Sequence, residues 1–293
     1  MIRFYFVDVF ADRPLTGNPL ALVPDADHLS VPQMQAIARE FNQSETTFLL
    51  DAGEGADWHL RSYTPAGAEV GGAGHNALGA WLWLADQGLT GDQPAVTMRQ
   101  RIGTEVLAVE ILRPPGEPTR VVMDQGVPEF GKQVTDDRRL TGALGLDAYQ
   151  LSADATPQVV STGVPHLLVP LATRAAVDAA VAHDRELAAI LAEAGGEGCY
   201  VYTTAGGGDG AAAYTRFFNP TVGIAEDPAT GTAAGPLAVA LLRSGRAAAG
   251  SPVFIEQGHH LGRPSRIRVD VVDDRVRLSG SGLVTGHGEL RLA

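Results

Sequence analysis

Glu45 stands as a lone carboxylate between the end of a helical run and the apolar stretch Phe48-Leu49-Leu50. A carboxyl group beside apolar surface loses hydration, its pKa rises, and it then suits the work of a general base near neutrality. A solvated glutamate at a strand entrance is the competing account. His75 follows Gly74 directly at the start of another helical run. The helix dipole there disfavours the imidazolium, so a neutral ring could hold substrate or relay a proton, although a satisfied buried histidine explains the same residue. Glu226-Asp227-Pro228-Ala229-Thr230-Gly231-Thr232 is the densest polar cluster of the second half. Asp227 reads there as a functional carboxylate or as a helix N-cap with Pro228 at the first helical position. Arg61 and Arg216 end strand-like runs and could anchor a carboxylate, though surface ion pairing is the commoner fate of arginine.

The elements that must position these groups follow from periodicity. Ile2 to Val9 and Leu20 to Val23 alternate as strands. Ser30 with Gln33 and Pro32 opens a helix to about Phe41 through a capping box. Thr46 to Leu50 and His59 to Ser62 read as strands, and Tyr63 to Gly72 as a Pro/Gly loop. His75 to Gln87 is apolar at almost every position and stops at Gly88. A helix without a polar face must be surrounded by protein. Strands follow near 95–99, 104–111 and 120–123, and the mixed segment Gly126 to Asp137 reads as an inter-domain link.

The second half repeats the plan. Strands near Val159 and Leu167 precede an alanine-rich helical stretch from Arg174 to Ala194. Gly198 to Thr204 and Ala211 to Phe218 read as strands joined by the glycine loop 206–210. A second helix that is apolar all round runs from Thr230 to Leu242, with Pro236 marking a bend or a late start. Four strands close the chain near Phe254, Ile267, Val276 and Leu290. Each buried helix begins at a glycine beside a polar residue, Gly74-His75 and Gly231-Thr232, slightly more than half a chain apart. The economical reading is a pseudo-repeat of two similar domains, 1–125 and 126–293, with the last strands free to return to the first. Helix N-termini with glycine in the first turn are sites for a carboxylate or phosphate, so two of them suggest a small acid held in an inter-domain cleft. Equally, those glycines can serve only a tight strand-to-helix turn.

Composition removes other chemistries. The formal net charge of −12 argues against nucleic-acid phosphates or an anionic membrane as partner. Lys132 is the only lysine and sits in neither a phosphate loop nor a pyridoxal context. The eight histidines include no pair at helical metal-ligand spacing, so no metal is expected. One cysteine, Cys199, cannot form an internal disulfide and reads as core in a reduced, cytoplasmic protein. No apolar run is long enough to span a bilayer, and the N-terminus has the layout of a strand rather than of a signal peptide. Gly72-Ala73-Gly74-His75-Asn76-Ala77 fits a dinucleotide fingerprint loosely, but Pro65 and Gly67 stand where its strand belongs.

Five ordered motifs together resemble the PhzF (phenazine biosynthesis-like) isomerase family, of the diaminopimelate epimerase fold. They are Val7-Asp8-Val9-Phe10 through Gly17-Asn18-Pro19-Leu20-Ala21, Gln35-Ala36-Ile37-Ala38 leading to Asn42-Gln43-Ser44-Glu45-Thr46, Tyr63-Thr64-Pro65, Gly74-His75, and Glu226 to Gly231. The resemblance covers essentially the whole chain. It implies an α+β fold of two pseudo-repeated barrel-like domains, each a curved, mostly antiparallel sheet around a central buried helix. It further implies a homodimer and a cleft active site without metal or organic cofactor. The family's catalytic glutamate, histidine and aspartate fall on Glu45, His75 and Asp227. Its substrate-holding set falls on Gly74, Gly231 and, with serine replaced, Thr232, with Asn18 and Ser44 in the matching motifs. The implied activity is a proton shift on a small unsaturated amino or hydroxy acid resembling dihydro-hydroxyanthranilate. Asn76-Ala77 departs from the family's usual small residue and threonine, and the Pro65 to Glu69 loop is one residue longer. Epimerases of this fold use two cysteines where this chain has Ala73 and the Asp227–Thr232 segment, which disfavours a two-thiol racemase. A non-catalytic binder of small acids, an epimerase or racemase of the same fold and a nicotinamide-dependent reductase are the competing classes.

Overall fold

Two helices that are apolar on every face set the architecture, because each needs a sheet wrapped around it. The computed structural model describes residues 1–293 except Ala73, Asp209, Asp273, Asp274 and Ala293. The chain divides into two units, Met1–Asp124 with Ser279–Ala293, and Gln125–Leu278.

In the first unit β1 (Ile2–Val9), β2 (Asn18–Val23), α1 (Val31–Phe41), β3 (Thr46–Leu50), β4 (Trp58–Tyr63), β5 (Glu69–Val70), α2 (His75–Asp86), β6 (Ala95–Ile102), β7 (Glu105–Leu112) and β8 (Arg120–Asp124) follow in order. The C-terminal strand β18 (Gly282–Leu290) pairs antiparallel with β1, and β1 antiparallel with β2. β2 runs parallel to β3, β3 antiparallel to β4, and β4 pairs antiparallel with β5 and parallel with β6. β7 then pairs antiparallel with β6 and with β8. α2 packs on β18, β1, β2, β3 and β8, strands from both ends of this ladder, so the sheet curls around it. Within α2 the indole of Trp81 is fully buried and satisfied, donating to Gln100 Oε1 at 2.8 Å. Gly79 faces β1 and β2 so closely that a Cβ would meet Leu20 Cδ2 at 2.5 Å and Val9 Cγ2 at 2.9 Å.

The second unit contains β9 (Glu129–Gln133), α3 (Asp137–Ala143), β10 (Gln158–Ser161), β11 (Pro165–Pro170), α4 (Arg174–Ala179), α5 (Asp184–Ala194), β12 (Gly198–Thr203), β13 (Ala213–Asn219), β14 (Ile224–Asp227), α6 (Gly231–Arg243), β15 (Val253–Gln257), β16 (Ser265–Val272) and β17 (Arg275–Gly280), the last belonging to it through Leu278. Its pairings repeat those of the first unit step by step. β9/β10 and β10/β11 are antiparallel, β11/β12 parallel, and β12/β13 antiparallel. β13 then takes a short antiparallel partner, β14, and a parallel one, β15, which pairs antiparallel with β16. In both units the central helix leaves the short strand and enters the parallel one. α6 packs on β10, β11, β15 and β16, again from both ends of the ladder. The class is therefore α+β with two pseudo-repeated curved sheets, each around one buried helix.

The structure corrects several local expectations. The stretch from Gly126 to Asp137 carries β9, a paired strand, and is not a link throughout. The Tyr63 to Gly72 loop contains the two-residue strand β5. The Arg174 to Ala194 run breaks into α4 and α5, because the N–H groups of Val181 and His183 bond to the carbonyls of Leu144 and Ala143 instead of continuing a helix. α6 runs through Pro236 without a late start.

Candidate active site

Glu45 is placed by the way α1 ends. Gln33 Oε1 accepts from the Ser30 N–H at 2.9 Å at the start of this helix, as the capping box requires. Met34, Ile37 and Ala38 face Phe48 and Tyr63, and Asn42 closes the last turn in the left-handed region at φ 51°. Asparagine tolerates that conformation better than most residues. The turn carries the chain over three residues into β3, and Glu45 stands at the strand's entrance. Its carboxylate Oε2 lies 3.2 Å from His75 Nδ1, and the side chains are only 15% and 7% exposed. Burial pushes the Glu45 carboxyl up to about 7. The solvated-glutamate account fails. At this distance an ionised Glu45 can accept from Nδ1–H, and a protonated one can donate to a bare Nδ1.

His75 is the first residue of α2, and Asn76, the departure from the family pattern, fixes the turn that delivers it. Asn76 Nδ2 donates to Ser62 Oγ at 3.1 Å and to the Gly72 carbonyl at 3.0 Å. Ser62 Oγ lies 2.9 Å from Thr47 Oγ1, so the first turn of α2 is tied through β4 to the strand that Glu45 enters. The Gly74 N–H donates to Asn76 Oδ1 at 2.8 Å. This is a correction: that N–H is engaged within the protein and is not a standing donor for an anion. Ala73, named for the missing thiol, lies outside the described residues. Ser44 is half-buried beside Glu45, and Asn18 is fully buried at the first position of β2. Gly17 before it needs to be glycine, since φ is +67° and a Cβ would sit 2.2 Å from the Val9 carbonyl oxygen.

In the second unit Asp227 ends β14 and is not the cap of α6, which begins at Gly231 with Thr230 as N-cap. Its carboxylate, 5% exposed, accepts from Thr230 Oγ1 through Oδ2. Gln257 holds the segment from the other side: Nε2 donates to the Asp227 carbonyl at 2.7 Å and Oε1 accepts from the Thr230 N–H at 3.1 Å. Tyr200 O–H also donates to Gln257 Oε1, at 2.8 Å. Thr232, the second residue of α6, lies 3.0 Å through Oγ1 from His166 Nε2. Gly231 offers its carbonyl to Gln125 Nε2 at 3.1 Å.

Neither arginine is a free anchor. Arg61 is bidentate to Glu69 at 2.7 and 2.8 Å. Arg216 is buried, bidentate to Glu226 at 2.8 Å on both arms, and its Nη1 donates to the carbonyls of Val177, Asp178 and Ala180 at the end of α4. Sequence reasoning missed Gln257 and His166. Gln257 was detectable, because Val253, Ile255 and Gln257 alternate onto one buried face of β15. A polar residue in the inward register marks an internal network. Cys199 is fully buried on β12, and burial pushes its thiol up, away from nucleophilic use.

Comparison with known proteins identifies the family. The family model for phenazine biosynthesis-like proteins, PhzC–PhzF, matches residues 7–288. The chain is 36% identical over 300 residues to the trans-2,3-dihydro-3-hydroxyanthranilate isomerase of Pseudomonas chlororaphis, with all of both chains covered. A solved structure from Pseudomonas aeruginosa, described as a predicted epimerase, superposes with a TM-score of 0.87 at 36% identity over the whole of both chains. A hydroxyproline epimerase from Agrobacterium vitis shares the fold alone, with a TM-score of 0.64 at 13% identity, covering 99% of this chain and 90% of its own. No helix among the described residues is long and apolar enough to cross a membrane. The chain belongs to the PhzC–PhzF family of phenazine biosynthesis-like proteins and is an isomerase.

Proposed function

We propose that the chain moves a proton, without metal or organic cofactor, on a small unsaturated amino or hydroxy carboxylic acid of the trans-2,3-dihydro-3-hydroxyanthranilate type. The observation that carries this reading is the buried Glu45 carboxyl, raised to about 7 and 3.2 Å from His75 Nδ1. A base titrating there is ionised for part of the population at neutral pH yet binds a proton strongly enough to take one from a conjugated carbon. In the step itself a C–H bond breaks, a Glu45 O–H bond forms and the double bond shifts. The same group or a partner then returns the proton to the far carbon, so no electrons leave the substrate. His75 and Asp227 orient the amino or hydroxyl groups. The start of α6, at Gly231 and Thr232, holds the carboxylate, with Asn18 and Ser44 completing the polar contacts. Gly74, its N–H already held by Asn76, contributes only the close approach of a residue without a side chain.

The reading extends to a homodimer, which the family resemblance implies. The one, buried cysteine fits a reducing, cytoplasmic setting. The test is incubation with trans-2,3-dihydro-3-hydroxyanthranilate in deuterated water, read by mass and proton NMR. The shifted isomer is expected, with solvent deuterium at the carbon that receives the proton. Compound that binds and is recovered unchanged and unlabelled would instead make the chain a binder of small acids.

A further inference from the structure

His166 lies on β11 and is 2% exposed, with its ring edge-on to Phe217 at a centroid distance of 5.0 Å. Its two nitrogens have different surroundings. Nε2 lies 3.0 Å from Thr232 Oγ1, whereas Nδ1 is buried without a hydrogen-bond partner among the described residues. Gly198 backs Nδ1 so closely that a Cβ there would come within 3.2 Å of it. Burial holds the ring neutral, with its pKa lowered to about 3, so it carries one N–H. A proton on Nδ1 would leave a buried donor with no acceptor, which folded proteins rarely tolerate. A proton on Nε2 points at an acceptor already in place.

Thr232 supplies the second half of the argument. His166 is the only hydrogen-bond partner of its hydroxyl among the described residues, and the residue is partly exposed at the first turn of α6. A hydroxyl has one proton to give, and one that already accepts from an imidazole is left to donate it elsewhere. We propose that His166 is a positioning residue whose Nε2–H donates to Thr232 Oγ1 and thereby commits the Thr232 hydroxyl proton to an oxygen of the bound acid. The tautomer stands on the burial of the ring and the surroundings of its two nitrogens, while the substrate half rests on the proposed function.

Two readouts test it. Side-chain ¹⁵N NMR of the wild-type protein, with His166 assigned by its loss in His166→Gln, should show the neutral Nε2–H tautomer unchanged between about pH 5 and 8. An Nδ1–H tautomer, or titration in that range, overturns the assignment. Kinetics with trans-2,3-dihydro-3-hydroxyanthranilate should show His166→Phe raising KM about tenfold at nearly constant kcat, the scale of one hydrogen bond. His166→Gln, whose amide can still donate, should recover most of that loss. Unchanged KM in His166→Phe, or equal loss in both variants, overturns the substrate half. Should His166→Phe fail to fold, His166→Gln against Thr232→Val reads the same difference. Absence of all turnover in the wild type would instead remove the proposed function and leave the tautomer result standing.

Discussion

Glu45→Gln is expected to lower kcat by roughly 10²–10⁴-fold, the usual worth of a general base, while the affinity for substrate measured by calorimetry stays within a few-fold. The replacement keeps shape and hydrogen-bonding atoms but cannot take a proton. Its effect on stability has a defined sign. The folded-state value of about 7 lies above the ordinary 4.5. The stability this group contributes is therefore fully present below about pH 4.5 and is lost as the pH rises to 7. Above that, keeping an ionised carboxylate buried costs about 3 kcal/mol relative to the protonated form. The variant should therefore melt higher than wild type at pH 8 and no higher at pH 4. A base that destabilises its fold at working pH, the role proposed for Glu45, is one form of the trade between stability and activity.

The second large effect concerns the scaffold of Asp227. Arg216→Met is expected to lower stability by about 3–5 kcal/mol, because the Glu226 carboxylate is left buried without its cation. With the arginine go both arms to Glu226 and three bonds to the last carbonyls of α4. For a unit of this size that corresponds to roughly 6–20 °C in Tm, read by calorimetry. Replacing Arg61, whose partner Glu69 is half in solvent, should cost far less. The contrast decides between the two roles offered by the sequence. Arg216 belongs to the framework that holds β14, and with it Asp227, in place.

The elements that depend on local chemistry were legible in the sequence. Ser30 and Gln33 set the start of α1, and the unbroken apolar runs of α2 and α6 required enclosing sheets. The paired glycines at the helix starts hinted at a repeat that the matching strand order displays in full. What stayed hidden depends on distant partners. Alanine-rich sequence favours one helix across 174–194, but backbone acceptors at Ala143 and Leu144 break it at 180–183. Asp227-Pro228 has the local signature of a helix start, yet Gln257 binds the Asp227 carbonyl and the Thr230 N–H and keeps the chain out of helix until Gly231. At the site, residue type and the family resemblance singled out Glu45 and His75, but their pairing at 3.2 Å comes from the packing of α2 against β3. His166 sits in the continuous apolar run of β11, where no periodicity separates a positioning histidine from a core one.

The pH profile of kcat/KM reads the essential base of the free enzyme directly. If Glu45 is that base, kcat/KM rises with pH through a single ionisation near 7 and then levels. A profile flat from pH 5 to 8, or one that breaks near 4.5 as an ordinary solvated carboxylate would, contradicts the account.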